Sequence, residues 1–187
     1  MIQPVHEELK KLLAYWLSKK GDRIAPSRSD IDPAEITQLL PYVALVDVLH
    51  DPLRFRFRLA GTEIAMSYGL DLTGRYLDEI DLDGHQHEIL LEYEKVTEQG
   101  VAVCKTWEYT RQDGRHIRYE RLALPLSSDG KTVDMLFGGV IFDLAFNYRT
   151  KQPSKQSSTL ASKPPPNPRP PWRGESALGF PVRRTGR

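Results

Sequence analysis

The stretch VAVCKTWEYTRQDGRHIRYERLALPLSSDGKTVDMLFGGVIFDL, residues 101–144, decides the fold. It holds three runs rich in β-branched and aromatic residues, 101–110, 116–127 and 133–144. Gln112-Asp113-Gly114 separates the first two, and Asp129-Gly130 the last two. Asp-Gly between alternating runs is a strong hairpin signal, because both residues tolerate the left-handed conformation of a tight turn. Three consecutive strands joined this way form an antiparallel meander. The glycine pair Gly138-Gly139 inside the last run reads as a bulge or a place where another element packs close to the backbone.

Upstream, the chain alternates between strand and helix patterns. YVALVDVL at 42–49 is a strand bounded by Pro41 and Asp51-Pro52. RFRFRL at 54–59 alternates strictly, with Arg54, Arg56 and Arg58 on one face and Phe57 and Leu59 on the other with Phe55. It reads as a half-buried edge strand with a solvated arginine row, hairpinned to the strand before it. From 60 to 100 the period of two is lost. Ile64, Ala65 and Tyr68 fit a short helix, the glycine- and acid-rich 69–84 fits turns, and Ile89, Leu90, Tyr93 and Val96 space one helix stripe closed by Gly100. On that helix Glu88, Glu92, Glu94, Lys95 and Glu98 are placed mostly off the stripe.

At the N-terminus, Leu9, Leu12, Leu13, Trp16 and Leu17 recur at helical spacing over about residues 5–20. Asp32-Pro33 then opens a short helix expected to end before Pro41. The N-terminal stripe must be buried either on its own sheet or against the same helix of a second copy.

Of the 187 residues, 151–187 carry eight Lys or Arg against the single acid Glu175, and 8 of the 14 prolines. Such a segment cannot bury enough apolar surface to offset its ordering entropy, so a disordered, polyproline-like tail is expected. Residues 1–150 hold 18 basic and 24 acidic residues, which argues against a broad nucleic-acid face. With Cys104 the only cysteine, no intramolecular disulfide forms. No run nears the roughly 18 apolar residues of a membrane span, and the N-terminus lacks the apolar core of a secretory signal. A cytoplasmic protein is expected.

The order of helix, two strands, helical middle and three-strand meander resembles the PAS fold. RFRFRLAGTEIA at 54–65, LTGRYLDEI at 72–80 and YERLALPLSSDG at 119–130 resemble one bacterial subgroup of small, often stand-alone PAS proteins, over roughly residues 8 to 145. The expectation is an α+β domain: a five-stranded antiparallel sheet with a helical middle between strands two and three, an N-terminal amphipathic helix and a disordered C-terminal tail. The boundaries are 1–24 for the helix, 25–148 for the PAS-like domain and 149–187 for the tail. The resemblance implies a non-enzymatic sensory or scaffolding module, often dimeric, whose sheet and helices enclose a pocket. With no kinase, cyclase or DNA-binding segment in the sequence, output is expected through a separate signalling protein.

Little in the residues points to catalysis. A G-x-S-x-G elbow and a phosphate-binding G-x-x-x-x-G-K-[ST] loop are both absent. Flavin-adduct PAS relatives carry their cysteine in an Asn-Cys-Arg-type motif opening a helix, whereas Cys104 lies in the strand VAVCKTW, so a structural thiol is expected. Haem-binding relatives use a helical histidine. His85 and His87, near Asp81 and Asp83, fall two apart and cannot share a helix face, so neither haem nor a metal site is expected and the cofactor stays unknown. Pocket candidates are Phe57, Leu59, Tyr68, Tyr76, Tyr93, Trp107, Tyr119 and Arg121. Arg121 is the most telling, since a buried guanidinium needs a carboxylate from the protein or from a ligand. Dimer-interface candidates are Leu9, Leu12, Leu13, Trp16 and Leu17. Two rival readings stay open. One is a small α+β-barrel enzyme of isomerase or dehydratase type, which needs a buried acid such as Asp47 or Asp143. The other is a pocketless interaction scaffold. The tail's P-x-x-P spacings, Pro165 to Pro168 and Pro168 to Pro171, offer a further contact for an aromatic groove.

Overall fold

The computed structural model describes residues 2–82, 84–110 and 116–143. The tail, Asp83 and the first meander turn lie outside the described residues. Five strands, β1 (Val43–Leu49), β2 (Arg54–Ala60), β3 (Val103–Thr110), β4 (His116–Leu126) and β5 (Met135–Phe142), form one antiparallel sheet in the order β2-β1-β5-β4-β3. The meander is as expected, and β1 closes the sheet by pairing with both β2 and β5. At the second turn the Asp129 carboxylate accepts the amides of Lys131 and Thr132 at 2.8 and 2.7 Å, and Gly130 supplies the positive φ.

Alternation along the strands sorts the apolar residues onto two faces. The inner face, with Val46, Phe55, Phe57, Tyr119 and Val140, is covered by α2 (Thr62–Tyr68), a 3-10 turn (Leu77–Glu79) and α3 (Gln86–Gln99). The outer face, with Leu45, Leu122, Leu124, Leu126 and Phe137, is covered by α1 (Glu7–Lys20) and the 3-10 helix Pro33–Tyr42. That 3-10 helix is capped by Asp32, whose carboxylate accepts the Ala34 amide at 2.9 Å, and it runs through Pro41 instead of ending before it. The run is broken by a kink at Ile36 (φ -124°, ψ 26°), so Pro41 falls in a short second piece, in whose first turn amides have no helical carbonyl to bond and a proline is tolerated.

The N-terminal stripe packs on its own sheet. Leu9, Leu12 and Trp16 are buried on the outer face, Leu13 is half-buried, and the Trp16 indole donates to the Pro125 carbonyl at 2.9 Å. Leu9, Leu12 and Trp16 are therefore not open to a second copy. Leu17 departs from the stripe and is 54% exposed. The helix start is pinned by Glu120 of β4, whose buried carboxylate accepts the amides of Val5 and His6 at 2.7 and 2.9 Å. A carboxylate there offsets both the unpaired amides and the positive end of the helix. The glycine pair has the close-packing role. A Cβ at Gly139 would lie 2.8 Å from Leu9 Cδ2, and one at Gly138 would lie 2.0 Å from the Leu122 carbonyl oxygen.

The β1–β2 pairing corrects the strict alternation read for RFRFRL. Leu45 pairs with Leu59, but the next β1 residue, Val46, pairs with Phe57, so Arg58 is the extra residue of a β-bulge. The bulge sends Leu59 to the outer face, where it is 41% exposed, while Phe55 and Phe57 stay inside. The arginine row is also not simply solvated. Residues 74–76 pair onto the free edge of β2, with the Phe57 amide donating to the Arg75 carbonyl at 2.9 Å. Arg54 pairs with Asp78 and Glu79 at 2.9 and 2.7 Å, and Arg56 and Arg58 reach the buried Asp47 at 2.8 and 2.6 Å.

Candidate functional site

On the inner face, the side chain of Arg121 is 3% exposed and that of Glu92, from α3, is 4% exposed. The Arg121 guanidinium donates to Glu92 Oε2 through Nε at 3.1 Å and also through Nη2. The other oxygen, Glu92 Oε1, accepts the Trp107 indole N–H at 3.2 Å and lies 3.3 Å from Lys105 Nζ. Two cations and an indole thus converge on one carboxylate. The ring faces of Tyr93 and Tyr119 flank the guanidinium, each 5.8 Å away. Burial pushes the Tyr93 hydroxyl up to about 12, so it stays protonated.

This overturns one sequence expectation. Glu92 does not lie off the helix stripe. It sits three residues after Ile89 and four before Val96, one turn from each, and so faces inward. Arg121 accordingly has its carboxylate from within the chain and is not left waiting for a ligand's. The space between Tyr93, Arg121 and β5 amounts to about 10 Å³, room for no more than a water.

The other pocket candidates divide. Phe57, Tyr93 and Tyr119 are buried in the inner core, with Tyr68 and Trp107 packed at its margin. Tyr68 meets Phe142 edge-on at 5.4 Å, and Tyr93 meets Phe55 likewise. Tyr76 does not line this space. It is half-buried at the β2 edge with the Arg54 guanidinium stacked 3.9 Å above its ring, because the bridge to Arg56 holds it outside the sheet's margin. Leu59 is on the opposite face altogether.

That face holds a recess of about 490 Å³ between β1, β2 and the segment 28–41. Leu45, Leu59 and Phe137 form its floor, Ile31, Ile36 and Leu40 its wall, and Arg28 is the one ionisable residue on its lining. Nothing in sequence periodicity announces this recess, because it exists only where the bulge turns Leu59 outward.

The remaining polar groups have local roles. Asp47 is held by Arg56 and Arg58, and Asp143 is half-buried at the end of the sheet, its amide donating to the Arg118 carbonyl at 2.9 Å. Cys104 donates to Glu120 Oε1 at 3.4 Å, and burial together with that carboxylate lifts the thiol to about 12. His85 precedes α3, and His87 is exposed on it. Among the described residues, no three His, Cys, Asp or Glu gather as a metal site, and no helix is long and apolar enough to cross a membrane.

A family profile described as PAS domain matches residues 5–141, which spans the whole five-stranded sheet nearly to its last residue. The chain belongs to the PAS domain family. No curated protein matches this PAS domain. Among solved structures it resembles a light-oxygen-voltage domain studied with a flavin analogue, at 14% identity and a TM-score of 0.46, over 64% of this chain and 93% of that one. It also resembles a PAS domain from Colwellia psychrerythraea, at 14% identity and a TM-score of 0.41, over 59% of this chain and 95% of that one. A third is the PAS domain of an HTR-like protein from Haloarcula marismortui, at 17% identity and a TM-score of 0.39, over 59% of this chain and 90% of that one. Likeness at such identities is likeness of fold. Membership of the family makes this a sensory-type domain, of the kind that binds a ligand or a partner.

Proposed function

We propose that this PAS domain is a non-enzymatic sensory module that reads an exchangeable small molecule and passes the signal to a separate signalling protein. The observation that carries the reading is the 490 Å³ apolar recess on the outer sheet face, within the range of roughly 300–1,000 Å³ typical of small-molecule sites. Among the described residues of the inner face, the central guanidinium is neutralised by Glu92 and the space beside it is about 10 Å³, which supports a ligand site on the outer face instead.

The enzyme reading has less support. It needs a buried acid free to take or give a proton, and Asp47 is clamped by two guanidiniums. Dimerisation is part of the proposal. Leu17 offers apolar surface on α1 beside the half-buried Leu13, while Leu9, Leu12 and Trp16 hold that helix to its own sheet. A cytoplasmic setting suits such a relay.

Native mass spectrometry and an absorption spectrum on one cytosolic preparation test the proposal. The expected result is a protein with no visible chromophore that gains a small, displaceable mass from a metabolite extract. A covalently or tightly bound coloured cofactor, retained through purification, contradicts it.

A further inference from the structure

The outer-face recess differs from the inner core in carrying one charge amid hydrocarbon. Arg28 is half-buried at one end, in a short 3-10 turn (Arg28–Asp30) whose start is fixed by a reciprocal Ser27–Asp30 capping box. Its Nη1 donates to the Ile31 carbonyl at 2.9 Å, which ties the guanidinium to a second residue of the recess lining. The nearby carboxylate, Asp30, is already taken by Arg23 at 2.8 Å and by Ser27. Among the described residues, no carboxylate pairs with Arg28.

From this we propose that the recess binds a free, single-chain aliphatic carboxylate, its alkyl chain along Ile36, Leu40, Leu45, Leu59 and Phe137 and its head group at Arg28. The inference rests on the small-ligand reading above and deepens it. Charge complementarity selects the head, because an unneutralised guanidinium pairs with an oxyanion, and a single cation on the lining matches the single charge of a carboxylate better than the double charge of a phosphate. Shape and polarity select the chain. A polypeptide segment would bring a row of backbone amides into a recess whose side chains offer them as acceptors only the Thr37 and Thr62 hydroxyls, the first already donating to the Ala34 carbonyl at 3.0 Å. Amides buried without partners weigh heavily against such an occupant, whereas methylenes need none. The bulge at Arg58 is what builds the site, since without it Leu59 would face inward and the floor would be open.

The test is calorimetric titration of the full chain with octanoate, decanoate and dodecanoate below micelle formation, with decanol as the neutral control. The account expects 1:1 saturable binding that tightens by about fourfold per added methylene until the recess is full. Arg28→Gln should weaken decanoate at least tenfold, roughly the worth of one charge-assisted hydrogen bond, and leave decanol unchanged. Leu59→Trp, at a partly exposed site where the indole can fill the recess, should abolish binding of both without lowering the unfolding temperature. Carboxylate binding that ignores both substitutions overturns the assignment. Decanol binding as tightly as decanoate, and lost in Leu59→Trp, overturns the anionic head while leaving small-ligand sensing intact. A wild-type dimer that Leu59→Trp converts to monomer overturns it in favour of a second copy as the occupant.

Discussion

Glu92 Oε2 lies 3.1 Å from Arg121 Nε across the interface of α3 and β4, with both side chains almost wholly out of water. Opposite charges withdrawn together from solvent lose much hydration and regain it only through each other. Neither partner is separately dispensable. Glu92→Gln should cost about 3–5 kcal/mol in urea unfolding, because it leaves the guanidinium buried and uncompensated. Glu92→Leu alone should cost about as much, and Arg121→Met added to it should recover most of that loss. Additive losses in the cycle would show that the two groups do not act as a pair.

The bulge makes an asymmetric prediction for two neighbouring apolar residues of β2. Phe57→Ala should cost about 3–5 kcal/mol, the usual penalty for emptying a core aromatic site. Leu59→Asp should cost under about 1 kcal/mol, since Leu59 is 41% exposed on the other face. Comparable losses at both positions would mean that strict alternation holds and Leu59 points inward.

Gly138 and Gly139 are neighbours with different constraints. At Gly139 an added methyl presses hardest on the flexible ends of Leu9 and Leu12, which can shift, with the Tyr42 carbonyl oxygen farther off at 3.3 Å, so Gly139→Ala should cost about 1–3 kcal/mol and loosen α1. At Gly138 it meets the backbone carbonyl oxygen of Leu122 at 2.0 Å, which cannot yield without disturbing the β4–β5 ladder. Gly138→Ala should be the more damaging of the two, read as the larger drop in unfolding midpoint. The reverse order would contradict the packing described for β5.

Burial gives the domain an alkaline limit. The folded state raises Cys104 from its ordinary value near 9, and Tyr93 from near 10, in each case to about 12. Between those values the native chain keeps protons that the unfolded chain has released, so stability falls as pH rises above about 9. At pH 8, iodoacetamide should leave Cys104 unmodified in the native protein and alkylate it readily in urea. Rapid native alkylation would show that the thiol is not held beside Glu120.

Much of the fold was legible because it rests on local signals. The Asp129-Gly130 turn, the α1 spacing of Leu9, Leu12 and Trp16, and the stripe of Ile89, Tyr93 and Val96 each depend on neighbouring residues alone. The sheet's closure by β1 against β5 is long-range, and the family resemblance implies a single five-stranded sheet without giving that strand order. The site was harder to read. Alternation puts Leu59 on the wrong face because one extra residue in a bulge flips everything beyond it, and no residue type in RFRFRL marks Arg58 as the extra one. Glu92 was legible in principle. Its charge argued for solvent, but its spacing from Ile89 and Val96 argued for the core, and Arg121 opposite it settled which prevailed. Tyr76 failed for a third reason, since its position depends on a stacking contact with Arg54 across 22 residues of chain.

The central claim is that ligand is read on the outer sheet face and not in the inner core. An amide-resolved NMR titration of the full chain with decanoate tests it most directly. The account predicts shifts concentrated at residues 28–45 and 59–62, with Glu92, Tyr93 and the β4 residues Tyr119–Ala123 unmoved. Shifts centred on those inner residues, with the outer set silent, would contradict it.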